Sequence, residues 1–406
     1  MTFTVSPRPR TGPPATDPAA PLWSGLLPLR GRPRTRRRLD WLLVAAALAL
    51  ALVGAVLVWS ATRSQLIAQH QDPQSYLYRH LLNMAIGAVL VVAAARVDAR
   101  LLRLAGPLLY LASLVGLLAV FVVGSTVNGA HAWIVVGGGF EFQPAEFTKL
   151  GLIIGMAIMF AGRAAERPAA APSRADILIA IGMIAVPLVL IMLQPDLGSA
   201  MVVCVAGFGV LIAAGVPARW TIGLIVVGVL GVILAAKVGV LAEYQLDRFR
   251  AFVNPGADVQ GAAYNVNQAH IAIMNGHLFG TGLFRGPQTN GAFVPEQQTD
   301  FVFSVAGEEL GFAGSSAIIA LFGLLCWRGL RIALAADHAG RLIASGIVCW
   351  FGFQAFQNIG MNLGLTPVTG LPLPFVSYGG SSMFAQSLAI GLLLAIQRQA
   401  ATHPAD

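Results

Sequence analysis

The sequence predicts an all-α polytopic membrane protein of about ten transmembrane helices, with one large extracytoplasmic loop between the seventh and the eighth. Three observations predict it. The chain is 56% hydrophobic and 11% charged, with a mean hydropathy of +0.73, whereas soluble domains carry about 25% charged residues. Apolar runs long enough to span a bilayer recur from residue 40 to residue 397. These runs are continuous, not alternating, which argues against a β-barrel and for one helical bundle that satisfies its backbone internally.

Residues 1–39 are rich in Pro, Arg, Ala and Gly with no sustained apolar period, and read as a disordered basic cytoplasmic tail. Arg34, Arg36, Arg37 and Arg38 abut the first apolar run, which at Trp41–Trp59 is long enough to span and is not a signal peptide. Spans are expected at 40–62, 80–97, 105–124, 146–163, 175–193, 199–215, 219–242, 300–327, 341–361 and 381–397. The pattern makes 40–397 one membrane domain, 243–299 its large loop and 398–406 a short tail. With the N-terminus inside, nineteen Arg fall on the inner side and five on the outer. That asymmetry predicts a multi-pass membrane protein with both termini cytoplasmic. It also explains the net charge of +8 without nucleic acid as a partner. Cys204, Cys326 and Cys349 lie singly in apolar runs, with no metal or disulfide spacing.

Polar residues gather in four places. The second outer loop holds a glycine-broken apolar stretch, Trp133–Phe142, too short to span, then Gln143, Pro144, Glu146 and Lys149. Pro144 suits a first helical turn. Glu146 and Lys149 share a face, and a lysine one turn into the membrane marks a polar cavity by default. Gln194–Ser199 is a tight turn in which Asp196 suits an N-cap.

The third place is the large loop. Tyr264–Met274 has apolar residues at near-helical spacing and reads as a helix on the outer membrane surface. Further on, Thr299 suits an N-cap and Asp300 the first turn of a span, where the helix N-terminus would lower the acid's pKa. Asp300, Ser304, Glu308 and Gly311 fall on one polar-and-small stripe, which on a spanning helix should face a cavity. The fourth place, 363–380, carries Pro367, Pro372 and Pro374 among glycines and cannot be a continuous helix. It reads as a re-entrant loop closing over that cavity.

These motifs resemble the SEDS family (shape, elongation, division and sporulation), in its rod-shape RodA branch. The resemblance covers residues 40–397. It rests on GA-x-x-W at Gly129–Trp133, QPAEFTK at Gln143–Lys149, QPDLGS at Gln194–Ser199, PEQQTDFVFSVAGEELG from Pro295, and NIGMNLGLTPVTGLPLPFVSYGGSS from Asn358. Ala132 and Ala145 depart from the arginine and serine common in the family. The resemblance implies a peptidoglycan glycosyltransferase that polymerises lipid II during cell elongation, releases undecaprenyl diphosphate and works with a class B penicillin-binding protein. The family's essential aspartate falls on Asp300, and its lysine on Lys149.

The residues suit that chemistry. A sugar hydroxyl attacking an anomeric carbon needs a carboxylate to take its proton, and a departing diphosphate needs cations beside it. Asp300 is therefore the candidate catalytic base. Lys149, Arg248 and Arg250 are candidate diphosphate contacts, and Gln143, Glu146, Trp133, Glu308 and Ser377 complete the candidate substrate-binding set. A divalent cation, Mg or Mn, bridging acid and diphosphate is one further way to supply positive charge; no organic cofactor is expected. The rival from another class is a flippase for lipid-linked oligosaccharides, which would also need a polar cavity open to lipid.

Overall fold

A computed structural model describes residues 39–402 except 128–129, 138–139, 168–170, 239–247, 249, 251 and 254–261. The tail expected before residue 39 and the first part of the large loop therefore lie outside the described residues. Everything below belongs to the unit Arg37–Asp406.

The first seven helices are α1 (Trp41–Ala68), α2 (Ser75–Ala95), α3 (Ala99–Val123), α4 (Pro144–Glu166), α5 (Arg174–Leu193), α6 (Leu197–Ala213) and α7 (Ala218–Val238). In the loop follow α8 (Ala262–Asn275) and the single turn α9 (Pro287–Asn290), then α10 (Val302–Ala335), α11 (His338–Asn362) and α12 (Gly380–Thr402). Among the described residues, eight helices are long and apolar enough to cross a membrane, and two shorter apolar ones, Leu197–Ala213 and Ala218–Gly231, bring the total to the expected ten.

Among the described residues, the one departure from an all-α chain is small. Residues after α3 form a three-stranded antiparallel sheet of β1 (Ser125–Val127), β2 (Ala130–Gly137) and β3 (Phe140–Phe142), in that order. The β-branched and aromatic residues of 131–142 suit a strand. Hairpin pairing satisfies their backbone where a single short segment at the interface could not.

Depth can be read from two contacts between the antiparallel helices α1 and α10. At one end Arg328 forks onto Asp40, its Nε donating to Oδ1 at 3.0 Å and to Oδ2 at 2.8 Å. Asp40 also caps α1 by accepting from Leu43 N. At the other end Ser60 Oγ donates to Glu309 Oε1 at 2.6 Å. Both helices run 19 or 20 residues between these contacts, or about 30 Å of helix, which is the thickness of a hydrocarbon core. Asp300 precedes α10 on the Glu309 side. It therefore stands at the end of the bundle opposite the Asp40–Arg328 contact, beyond the level of Glu309.

Helix α10 is broken at Gly311, where φ is +67° and ψ is −165°. The break frees backbone groups on both sides, and the loop takes them up. Thr281 N and Gly282 N donate to the carbonyls of Glu308 and Glu309, while Phe312 N and Ala313 N donate to those of His277 and Leu278. A Cβ on Gly311 would lie 2.3 Å from Gly280 N, so only glycine allows this approach.

The same contacts revise two expectations. Of the stripe Asp300–Ser304–Glu308–Gly311, only Asp300 lines the cavity described below; Ser304 is turned to Phe301 and Asn362, and Glu308 and Gly311 are the seat on which the loop is stitched. Likewise α8 turns part of its apolar face onto α10, with Ile273 beside Gly307, while Ile271 and Met274 stay exposed. In both cases small residues on α10 let another part of the chain cover a face that would otherwise need lipid or water.

Candidate active site

Glu296 opens the turn that carries Asp300. Its φ is +53°, and its carbonyl accepts from the backbone N–H groups of Thr299, Asp300 and Phe301. The turn is pinned on three sides. Buried Gln297 donates to Thr289 O at 3.1 Å and to Ala61 O, two turns before the end of α1. Ser377 Oγ donates to Thr299 O, and Tyr378 N donates to Gln298 O at 2.9 Å. From α11, Asn358 and Asn362 donate to the carbonyl of Asp300 at 2.8 and 3.1 Å.

Helix α10 starts only at Val302, with Phe301 at the N-cap and no side-chain cap. Thr299 is thus not the cap, and Asp300 lies before the helix. The expected lowering of its pKa is reversed. Burial, reinforced by Glu296 and Asp196, pushes the Asp300 carboxyl up to about 7 despite the opposing charge of Arg248.

The carboxyl opens into a cavity of about 680 Å³ bounded by the starts of α4, α6 and α12, by α2, by the hairpin and by the segment 369–372. Two cations border it. Arg248 approaches Asp300 over Gly370: a methyl placed on Gly370 would lie 3.5 Å from Asp300 Oδ2 and 3.8 Å from an Arg248 Nη. Arg79 lines another wall, hydrogen-bonded to Tyr378 and 6.0 Å from the ring of Tyr76.

Of the residues singled out from sequence, Asp300, Arg248, Glu146, Gln143 and Trp133 line this one cavity. Gln143 also ties its walls together, its Nε2 donating to Asp196 Oδ2 and its backbone N donating to Ser381 Oγ, both at 3.0 Å. Asp196 caps α6 through Ser199 N as expected, and it too faces the cavity.

Four others do not border it. Lys149 is fully buried behind Glu146, paired with it at 2.5 Å, 3.3 Å from Gln354 Oε1 and 5.3 Å from the ring of Trp350. Arg250 is exposed and not among the lining residues. Glu308 is wholly buried and accepts from Gln288 N, Thr289 N and Thr289 Oγ1 at 2.6–2.8 Å. Ser377 is buried and spends its hydroxyl on Thr299 O and Leu373 N. Hydrogen bonds inside the protein occupy Glu308 and Ser377, so the direct substrate contact expected of them is replaced by support of the loop and the turn.

Arg79, Tyr378 and the amides of α11 are not singled out from sequence. Gln354, Asn358 and Asn362 nevertheless recur every four residues along an apolar helix, the same kind of stripe that marks Asp300.

A model of the cell cycle protein family FtsW/RodA/SpoVE matches residues 40–402. The chain belongs to that family. It is 39% identical to a probable peptidoglycan glycosyltransferase FtsW from Aeromonas salmonicida, over 88% of this chain and 90% of the relative. It is 34% identical to the peptidoglycan glycosyltransferase MrdB of Escherichia coli K12, over 88% and 93%. Among solved structures, the rod shape determining protein RodA of Thermus thermophilus superimposes with a TM-score of 0.65 at 33% identity, covering 89% of this chain and 97% of that one. A chain of a peptidoglycan synthase complex that coordinates polymerisation and crosslinking superimposes with a TM-score of 0.72 at 34% identity, covering 89% and 98%. Within the FtsW/RodA/SpoVE family, the RodA structures and MrdB support the RodA branch.

Proposed function

We propose that this peptidoglycan glycosyltransferase polymerises lipid II, with Asp300 as general base and the cavity end of the bundle facing away from the cytoplasm. The observation that carries the reading is the Asp300 carboxyl, opening beside Arg248 into a cavity that Glu146, Gln143 and Arg79 also line; burial pushes that carboxyl up to about 7. A base is most effective when its pKa lies near the working pH. An acid held at the usual carboxylate value would be ionised but weakly basic.

In the proposed step a hydroxyl of one lipid-linked sugar attacks the anomeric carbon of another. The new C–O bond forms as the bond to the diphosphate oxygen breaks, the hydroxyl proton passes to Asp300, and the diphosphate departs with the electron pair. Arg248, beside the acid, and Arg79, across the cavity, offer fixed positive charge to that leaving group. Glu146 and Gln143 present polar groups to the sugars. A divalent cation belongs to this reading only as one delivered with the diphosphate. Among the described residues no three His, Cys, Asp or Glu side chains converge as metal ligands.

The partner is a class B penicillin-binding protein, whose transpeptidase would crosslink the strands made here. This is supported by the likeness to a chain of a synthase complex that couples polymerisation to crosslinking. The positive-inside count supports cytoplasmic termini.

The test is glycan-strand formation by purified protein with lipid II and its partner in detergent, where sidedness is lost and a flippase has nothing to do. Wild type should form strands and Asp300→Ala should not. Strand formation by Asp300→Ala at the wild-type rate would remove Asp300 from the mechanism.

A further inference from the structure

Helix α11 enters the site through side-chain amides, and what they hold is backbone. Gln354 Nε2 donates to Pro372 O at 2.8 Å, while its Oε1 accepts from Trp350 Nε1 at 2.7 Å and from Lys149 at 3.3 Å. One turn on, Asn358 Nδ2 donates to Asp300 O at 2.8 Å and to Leu371 O at 2.7 Å. A further turn on, Asn362 Nδ2 donates to Asp300 O at 3.1 Å, while its Oδ1 accepts from Ser304 N at 3.1 Å. All three side chains are fully buried.

Asn358 differs from its neighbours in one respect. Its two N–H groups go to two separate walls of the cavity: the turn bearing Asp300 and the segment bearing Gly370. A single planar NH₂ holds two acceptor oxygens within roughly 5 Å of each other. The amide therefore fixes the gap between the two walls, and Asp300 Oδ2 and Arg248 approach each other in that gap over Gly370. Its orientation is set by chemistry, since the flipped amide would aim an oxygen at two carbonyls. Asn358 Oδ1 has no hydrogen-bond partner among the described residues, so the residue contributes its donors.

We propose that Asn358 is the positioning residue of this site: it sets the place and surroundings of the Asp300 carboxylate by bridging the Asp300 and Leu371 carbonyls. Asn362 reinforces the first of these contacts. The inference rests on Asp300 being the base, and it says what makes that base fit for the work. The charged groups facing the carboxyl are Glu296, Asp196 and Arg248. A shift of the turn by a few tenths of an ångström changes its balance against all three.

Two measurements on the full-length protein test this, one of them independent of turnover. An infrared pH titration follows the carboxyl band that disappears in Asp300→Asn. Asn358→Ala should displace its midpoint by half a pH unit or more, and Asn362→Ala by less. With lipid II as substrate, Asn358→Ala should lower kcat at least tenfold with KM within twofold, and should move the acid limb of the rate profile in step with the infrared midpoint.

Gln357→Ala is the control. It removes an equally buried amide that holds only Pro367 O, so it should lower the melting temperature without moving either midpoint. Where Asn358→Ala does not fold, Asn358→Ser, which keeps one donor, replaces it with the same expectations at smaller size. Unchanged midpoints in the Asn358 variants, or an equal displacement in Gln357→Ala, would overturn the proposal. A moved infrared midpoint with an unmoved acid limb of the rate profile would uphold the positioning and count against the base assignment instead.

Discussion

Lys149 and Glu146 are paired at 2.5 Å with neither meeting bulk water, and of the two only the acid reaches the cavity wall. The lysine thus acts on the site through its partner. Removing it leaves a buried carboxylate without compensation, a change that typically costs about 3–5 kcal/mol. Lys149→Ala should melt far below wild type in detergent and lose activity. Glu146→Gln/Lys149→Met, which leaves no buried charge, should recover most of the melting temperature and none of the activity. Recovery of activity by the double variant would show that the pair is only a packing device.

The raised pKa of Asp300 makes both activity and stability depend on pH. The carboxyl ordinarily titrates at 3.8 and here at about 7, so the folded chain holds a proton that the unfolded chain has released between those values. Stability therefore falls as pH rises from about 4 to about 7, and is flat with respect to this group above that. Asp300→Asn should flatten that slope and melt higher than wild type at pH 8, with no difference near pH 4. The polymerisation rate should run the other way, rising about tenfold per unit up to pH 7 and levelling off as the base ionises.

Hydropathy and charge made the ten spans legible, because bilayer thickness and backbone satisfaction leave a chain few other choices. Asp300, Glu146, Gln143 and Trp133 were legible for a related reason: polar residues at the edge of apolar runs have to be accounted for. Depth and orientation were not. Glu308 and Ser377 carry the same polar signature as Asp300, and only the packing of the loop against the broken helix α10 decides that they face inward. The pKa direction of Asp300 turned on a boundary two residues away: with the helix beginning at Val302, burial and neighbouring acids decide the shift instead of the helix terminus. The Asn358 bridge was the least visible, since its partners at 300 and 371 are backbone carbonyls and carry no residue signature.

Glu308 holds the turn at α9 through three donors. Glu308→Ala would leave buried N–H and O–H groups without partners, at roughly 1–3 kcal/mol for each. The expected outcome is local: amide hydrogen exchange over 281–290 should accelerate by at least an order of magnitude, while exchange in α4 and α12, the most enclosed spans, stays slow. Thr289→Val removes one donor of the three and should give a smaller acceleration over the same residues. Slow exchange in both variants would mean that the backbone stitch around Gly311 is sufficient to hold the loop.

Gly370 separates backbone strain from site chemistry. Its φ is +72°, a conformation that costs an L residue roughly 1–2 kcal/mol, and its missing side chain leaves room between Asp300 and Arg248. Gly215, at φ +79° with nothing within 4 Å of where a Cβ would stand, imposes the same strain far from the cavity. Gly370→Ala and Gly215→Ala should therefore lower the melting temperature by similar amounts. Only Gly370→Ala should also lower kcat/KM tenfold or more, because its methyl stands in ordinary van der Waals contact with the base, where a reacting hydroxyl must approach. Equal activity in the two variants would place the reacting atoms elsewhere along the cavity, away from the gap that Asp300 and Arg248 share.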